Sequence, residues 1–157
     1  MIKILFICAH NDARTIMAEA FLNHLGSHIF QAESAGLEKG VQDPLVTGVM
    51  NEIDIDTRDI PSRDIFELFT MGRHYQGVIT LCDESAREES PIFPGISKRL
   101  TWSFPDPAGF KGSPEGIWQQ TRMLRDDIKN KVLHFVEEAG HLSYWVNDRR
   151  TMAAKQE

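Results

Sequence analysis

Cysteine is scarce in this chain, with two in 157 residues, and that excludes a disulfide-built scaffold. No apolar run reaches the roughly 18 residues a membrane span needs, and the run at residues 2–7 is too short for a signal-peptide core. Basic charge is in deficit: 17 lysines and arginines stand against 23 acidic residues, a formal net charge of -6. The long-range field therefore repels nucleic acid and acidic lipid, and neither is an expected partner. Any anionic ligand has to be held by a local site. Repeats, linkers and low-complexity tracts are also missing. With 41% hydrophobic and 25% charged residues, the chain can bury one ordinary core. Its two thiols suit a reducing compartment, for which the cytoplasm is the expectation.

What is present alternates between strand and helix. Ile2, Ile4, Leu5, Phe6 and Ile7, interrupted by Lys3, read as a strand buried on both faces. Ile16, Met17, Ala20, Phe21 and Leu25 recur at helical spacing, and Gly26 reads as the helix C-cap. A second strand is expected at residues 29–34, running into Ala35 and Gly36. Pro44 then opens a helix whose buried face is expected to be Leu45, Val49 and Ile53. Ile65, Leu68, Phe69 and Met71 indicate a short helix, residues 77–81 a third strand ending at Cys82, and residues 100–104 a fourth strand. Ser113, Pro114 and Glu115 place a cap, a first-turn proline and an acid before a long helix carrying Ile117, Leu124, Ile128, Val132 and Phe135. The pattern predicts an α/β three-layer sandwich around a central four-stranded parallel sheet over residues 1–140, with residues 141–157 as a tail without clear period. Open sheets of this kind bind ligands at the carboxyl ends of their strands. Cys8, Cys82 and the segment after Phe104 all follow such ends.

The loop Cys8-Ala9-His10-Asn11-Asp12-Ala13-Arg14-Thr15 sits between the first strand and the first helix. Backbone N–H groups from Ala9 to Arg14, curling into a helix N-terminus, form an anion cradle, and the Arg14 guanidinium can fork onto a tetrahedral oxyanion. The same field favours the Cys8 thiolate, a nucleophile aimed at the central atom, with Thr15 placed to donate to its sulfur. Cysteine and arginine six residues apart are common by chance, and the alternative is a buried structural Cys8 with a surface Arg14. The position between a buried strand and a helix favours the catalytic reading.

Four stretches carry a resemblance to a known family: residues 4–20 (ILFICAHNDARTIMAEA), 33–36 (ESAG), 78–82 (VITLC) and 105–109 (PDPAG). Over roughly residues 2–138 the chain resembles the low-molecular-weight protein tyrosine phosphatases, and within them the arsenate reductases that share their fold. The resemblance implies Cys8 as nucleophile, Arg14 as oxyanion clamp and Asp106 as general acid. An expelled oxygen needs a proton, and a carboxyl group beside a thiolate and an oxyanion should hold one more tightly. Without the resemblance, Asp106-Pro107 reads as a turn.

Hydrolysis and reduction both begin with Cys8 attack, so the second cysteine discriminates. Reduction needs another thiol to attack the sulfur bound to arsenic and leave a disulfide. Cys82 is the remaining cysteine, and in the resembling reductases a cysteine in this Thr-Leu-Cys context resolves the adduct. A small buried residue filling a strand end is the plain alternative. Ala108 and Gly109 follow the acid as in the reductases, where the phosphatases carry an aromatic wall. Trp102, Phe104 and Phe110 are nearby substitutes, though such residues more often serve the core. These features imply an arsenate reductase, with a tyrosine or small-ester phosphatase as the alternative and a non-catalytic oxyanion sensor as a third reading.

The chain also departs from the resembling reductases. Ser90 stands where many have a third cysteine, so a Cys8–Cys82 disulfide would be opened by an external thiol: glutathione with glutaredoxin, mycothiol or thioredoxin. No tightly bound cofactor is expected. Ala13 replaces a loop cysteine, and His10 replaces a glycine and would be strained if its φ were positive. The resemblance further implies a potassium ion near Asn11, Glu19 and Ser34, with a further aspartate not singled out among Asp54, Asp56 and Asp59; Glu19 could equally be a surface carboxylate. His24 and His28 flank Gly26, and no zinc site is expected.

Overall fold

In the computed structural model, which describes residues 1–82, 89–96 and 98–146, a parallel four-stranded sheet runs in the order β2-β1-β3-β4. β1 is Ile2–His10, β2 Phe30–Glu38, β3 Gly77–Thr80 and β4 Lys98–Thr101. The helices are α1 (Arg14–Leu25), α2 (Pro44–Asn51), α3 (Ile65–Thr70) and α4 (Pro114–Ala139). β1 is buried from Ile4 to Cys8, and its alternation feeds both faces. Ile4 and Phe6 join α1, α2 and α4 on one side, while Leu5 and Ile7 join Ile65 and Leu68 of α3, Tyr75 and Phe93 on the other. This is the expected α/β sandwich.

Several elements differ in detail from expectation. β4 forms two residues earlier than the apolar run at 100–104, because Trp102 donates its N–H to Thr80 O at 2.8 Å and then turns its ring into the core against Phe6 and Phe135. α2 buries Val46, Val49 and Met50, leaving Leu45 and Ile53 half-buried. α1 is buried continuously from Thr15 to Leu22, because the sheet and α4 both pack on it. Gly26 does end α1, but at φ -122°. Its requirement is space, since an added Cβ would lie 3.0 Å from Val136 Cγ2 of α4.

Residues 142–146 form a helical turn that packs on the domain. Trp145 is 6% exposed and its Nε1 donates to Ala139 O at 2.9 Å. Arg149 and Arg150 lie outside the described residues, as does 83–88 within the 83–94 stretch after Cys82.

Candidate active site

The strand order reverses between β1 and β3, which makes the gap at their carboxyl ends the expected ligand crevice. Ile7 pairs with Thr80, and the Leu81 N–H donates to Ile7 O at 3.0 Å. That register carries Cys82 to the side of Cys8, and the Cys82 side chain is hydrogen-bonded to the Cys8 thiol. Cys8 is 3% exposed and Cys82 half-buried.

Beyond His10 the chain loops through Asn11 and Asp12 into α1. Asn11, fully buried, holds this loop from inside: Nδ2 donates to Thr15 Oγ1 at 3.0 Å and Ser34 Oγ at 2.9 Å, and Oδ1 accepts from the Arg63 N–H at 2.8 Å. Gly36 of β2 permits the close approach, since an added Cβ would sit 2.7 Å from Asn11 N. His10 carries no positive φ and ends β1 in extended pairing with Glu38, so the substitution of a glycine there is not strained. The α1 N-cap, Ala13, offers no side-chain cap, whereas Asp43, Asp64 and Ser113 cap α2, α3 and α4. The first-turn N–H groups of α1 have no side-chain acceptor at the cap, the arrangement an anion cradle requires.

Arg14 ties the site together. Nη2 donates to Cys8 Sγ at 3.2 Å and lies 3.6 Å from Asp106 Oδ2, while Nη1 donates to Phe104 O at 3.0 Å and Leu81 O at 3.4 Å. The donor to the sulfur is thus Arg14; Thr15, expected in that role, is buried with its hydroxyl oxygen accepting from Asn11. Asp106 is open to solvent and caps a turn of 3₁₀-helix (Pro107–Gly109), its Oδ1 accepting from Ala108 N at 2.9 Å. Trp102 belongs to the core, with Phe104 and Phe110 half-buried against the same cluster. Ser90 is buried and donates to Pro91 O at 3.1 Å.

The hydrogen bond with Cys82 and burial push the Cys8 thiol up, while the Arg14 charge and the Ala9 N–H pull it down. Burial and the nearby Asp106 charge also push the Asp12 carboxyl above its ordinary range.

Asn11, Glu19 and Ser34 do converge, but they do not fit a potassium ion. The Asn11 carbonyl oxygen is taken by Arg63 N–H, its amide nitrogen points at Ser34, and Ser34 Oγ donates to Glu19 Oε2 at 3.3 Å. The positive charge at Glu19 is the Arg63 guanidinium, 2.7 Å from Oε1. Arg63 is the residue that sequence reasoning missed: it reaches α1 from 44 positions away, and nothing local marks it. Among the described residues no cluster of three or more histidine, cysteine or acidic side chains is arranged to hold a metal ion. No helix among them is long and apolar enough to cross a membrane.

A family model for low molecular weight phosphotyrosine protein phosphatases matches residues 3–141. The chain belongs to that family. Among family relatives, an arsenate reductase of Shouchella clausii (strain KSM-K16) is 34% identical over 134 residues, covering 85% of this chain and 94% of its own. Two solved structures, an arsenate reductase in reduced state and one in oxidized state, are each 26% identical, with TM-scores of 0.70 and 0.69. They cover 88% and 87% of this chain, and 99% and 98% of their own.

Proposed function

We propose that the protein reduces arsenate to arsenite. The observation that carries this reading is the Cys82 side chain hydrogen-bonded to Cys8 beside the Arg14 guanidinium. A phosphatase working through a phosphocysteine uses one thiol, whereas this site holds two in contact. Naming of the relatives in reduced and oxidized states supports the same reading.

The residues then have defined tasks. The Ala9–Arg14 amides and the Arg14 fork bind arsenate, and the Cys8 thiolate attacks arsenic. One oxygen leaves as water with a proton from Asp106, giving a Cys8–arsenic(V) adduct. Cys82, as thiolate, attacks the Cys8 sulfur. The sulfur–arsenic bonding pair stays on arsenic, which departs as arsenic(III), and the two sulfurs, oxidised by two electrons, remain as a disulfide. Two electrons from an external thiol restore the site; glutathione with glutaredoxin, mycothiol and thioredoxin all meet that need, and all suit a cytoplasmic enzyme.

The test is a single turnover. Reduced protein is mixed with arsenate, or with phosphate as control, without added thiol, and arsenite, free thiols and intact mass are measured. One equivalent of arsenite and loss of both thiols are expected with arsenate. Two free thiols after exposure to arsenate would overturn the proposal. Asp106 at the rim beside Arg14 also favours hydrolysis of phosphate esters as a second reading. That reading expects Cys82→Ser to leave aryl phosphate hydrolysis nearly intact and Asp106→Asn to slow it strongly.

A further inference from the structure

Glu19 sits on the second turn of α1, 3% exposed, beneath the oxyanion loop. A carboxylate so placed requires a counter-charge, because desolvation disfavours its ionised form. Burial indeed pushes the Glu19 carboxyl up, and Arg63 opposes that shift by its charge and its hydrogen bond. Arg63 Nη1 donates to Glu19 Oε1 at 2.7 Å and to Ser34 O at 3.1 Å, and Nε lies 3.5 Å from Glu33 Oε2. Its backbone is strapped to the same place: its N–H donates to Asn11 Oδ1, and its carbonyl accepts from Gly36 N at 2.9 Å. One residue thus holds the carboxylate on α1, the strand β2 and the side chain inside the loop.

We infer that Arg63 is the resident cation of this site, a positioning residue that neutralises Glu19 and fixes the oxyanion loop through Ser34 and Asn11, making the loop independent of potassium. The inference rests on the reading of residues 8–14 as an oxyanion loop and goes beyond it in naming what sets the loop's shape. The chemistry of the donors requires a fork: one guanidinium spans a side-chain carboxylate and a backbone carbonyl, which a spherical ion would bind only by displacing the Asn11–Arg63 and Ser34–Glu19 hydrogen bonds. Arg63 lines a cleft of about 460 Å³ together with Glu19, Glu33 and Asp59. A small cation can therefore reach Glu19 from solvent if the side chain is removed.

The experiment is calorimetric titration with inorganic phosphate in potassium chloride and in sodium chloride of equal ionic strength, accompanied by thermal melting in both salts. The wild type is expected to bind phosphate equally in the two salts and to melt at the same temperature. Arg63→Ala is expected to bind about tenfold more weakly, with recovery on adding free guanidinium below denaturing concentration, while Arg63→Lys, which keeps the charge but loses the fork, falls between wild type and Arg63→Ala. A purely structural role for Arg63 would not give recovery by guanidinium without a matching rise in melting temperature. If Arg63→Ala does not fold, Arg63→Gln takes its place. Potassium-specific tightening or stabilisation of the wild type would overturn the inference, as would wild-type affinity in the charge-removing variant. Failure of the wild type to bind phosphate in either salt would instead overturn the oxyanion reading, and the melting comparison would still test Arg63.

Discussion

At the scale of single residues, the site is a set of donors converging on one sulfur. Arg14 touches Cys8, the segments that follow β3 and β4, and Asp106 at once, so Arg14→Lys, which keeps charge but loses the fork, is expected to reduce arsenite formation by roughly a hundredfold. Rapid-quench arsenite assays would check it. Asp12 supplies a pH prediction. Its folded-state pKa is raised by burial first and Asp106 second, so its stabilising contribution is complete below the ordinary aspartate value of 3.8 and is lost as pH rises through the raised one. Asp12→Asn should therefore melt higher than wild type at neutral pH, with the difference vanishing toward acid, and should bind phosphate more tightly at neutral pH. Melting curves and phosphate titrations across pH would show both. That Cys8, Arg14 and Cys82 come together was legible in the sequence because they stand near the ends of β1 and β3 and at the start of α1, while the roles expected of them came from the family resemblance. Asp106 was not legible from its own residues, since it does cap a turn as Asp-Pro ordinarily suggests, and its place beside Arg14 arises from tertiary folding. Arg63 was invisible for the same reason.

At the scale of elements, the loop depends on how closely β2 passes beneath it. Gly36→Ala puts a methyl group against the Asn11 backbone and is expected to cost about 1–3 kcal/mol. Urea denaturation should show that loss together with weakened phosphate binding. The sheet was readable because residues 4–7 of β1 and 78–79 of β3 are buried apolar runs, the mark of strands covered on both faces. β4 was misplaced because the apolar residues after it serve the core through Trp102 while the strand itself carries Lys98 and Arg99. The start of α4 was readable from chemistry alone, Ser113 accepting from Gly116 N at 3.1 Å with Pro114 in the first turn.

For the molecule as a whole, the C-terminal turn carrying Trp145 and the site lie at opposite ends of the sheet. Trp145 packs near Gly77, where β3 begins, and near Ile4, so Trp145→Ala should destabilise by about 3–5 kcal/mol. Phosphate affinity of the folded fraction should stay unchanged, a pairing that calorimetry and chemical denaturation can check. The neighbouring ends of β1 and β3 have one more consequence, in the statistics of the unfolded chain. A bond between Cys8 and Cys82 would close residues 8–82 into a ring holding α1, β2, α2, α3 and β3, with α4 left outside as a free arm. An unfolded ring has far fewer shapes than an unfolded line. Each turnover would thus leave a spent molecule that is harder to melt than a fresh one, and the reductant that rearms it would also restore its slack.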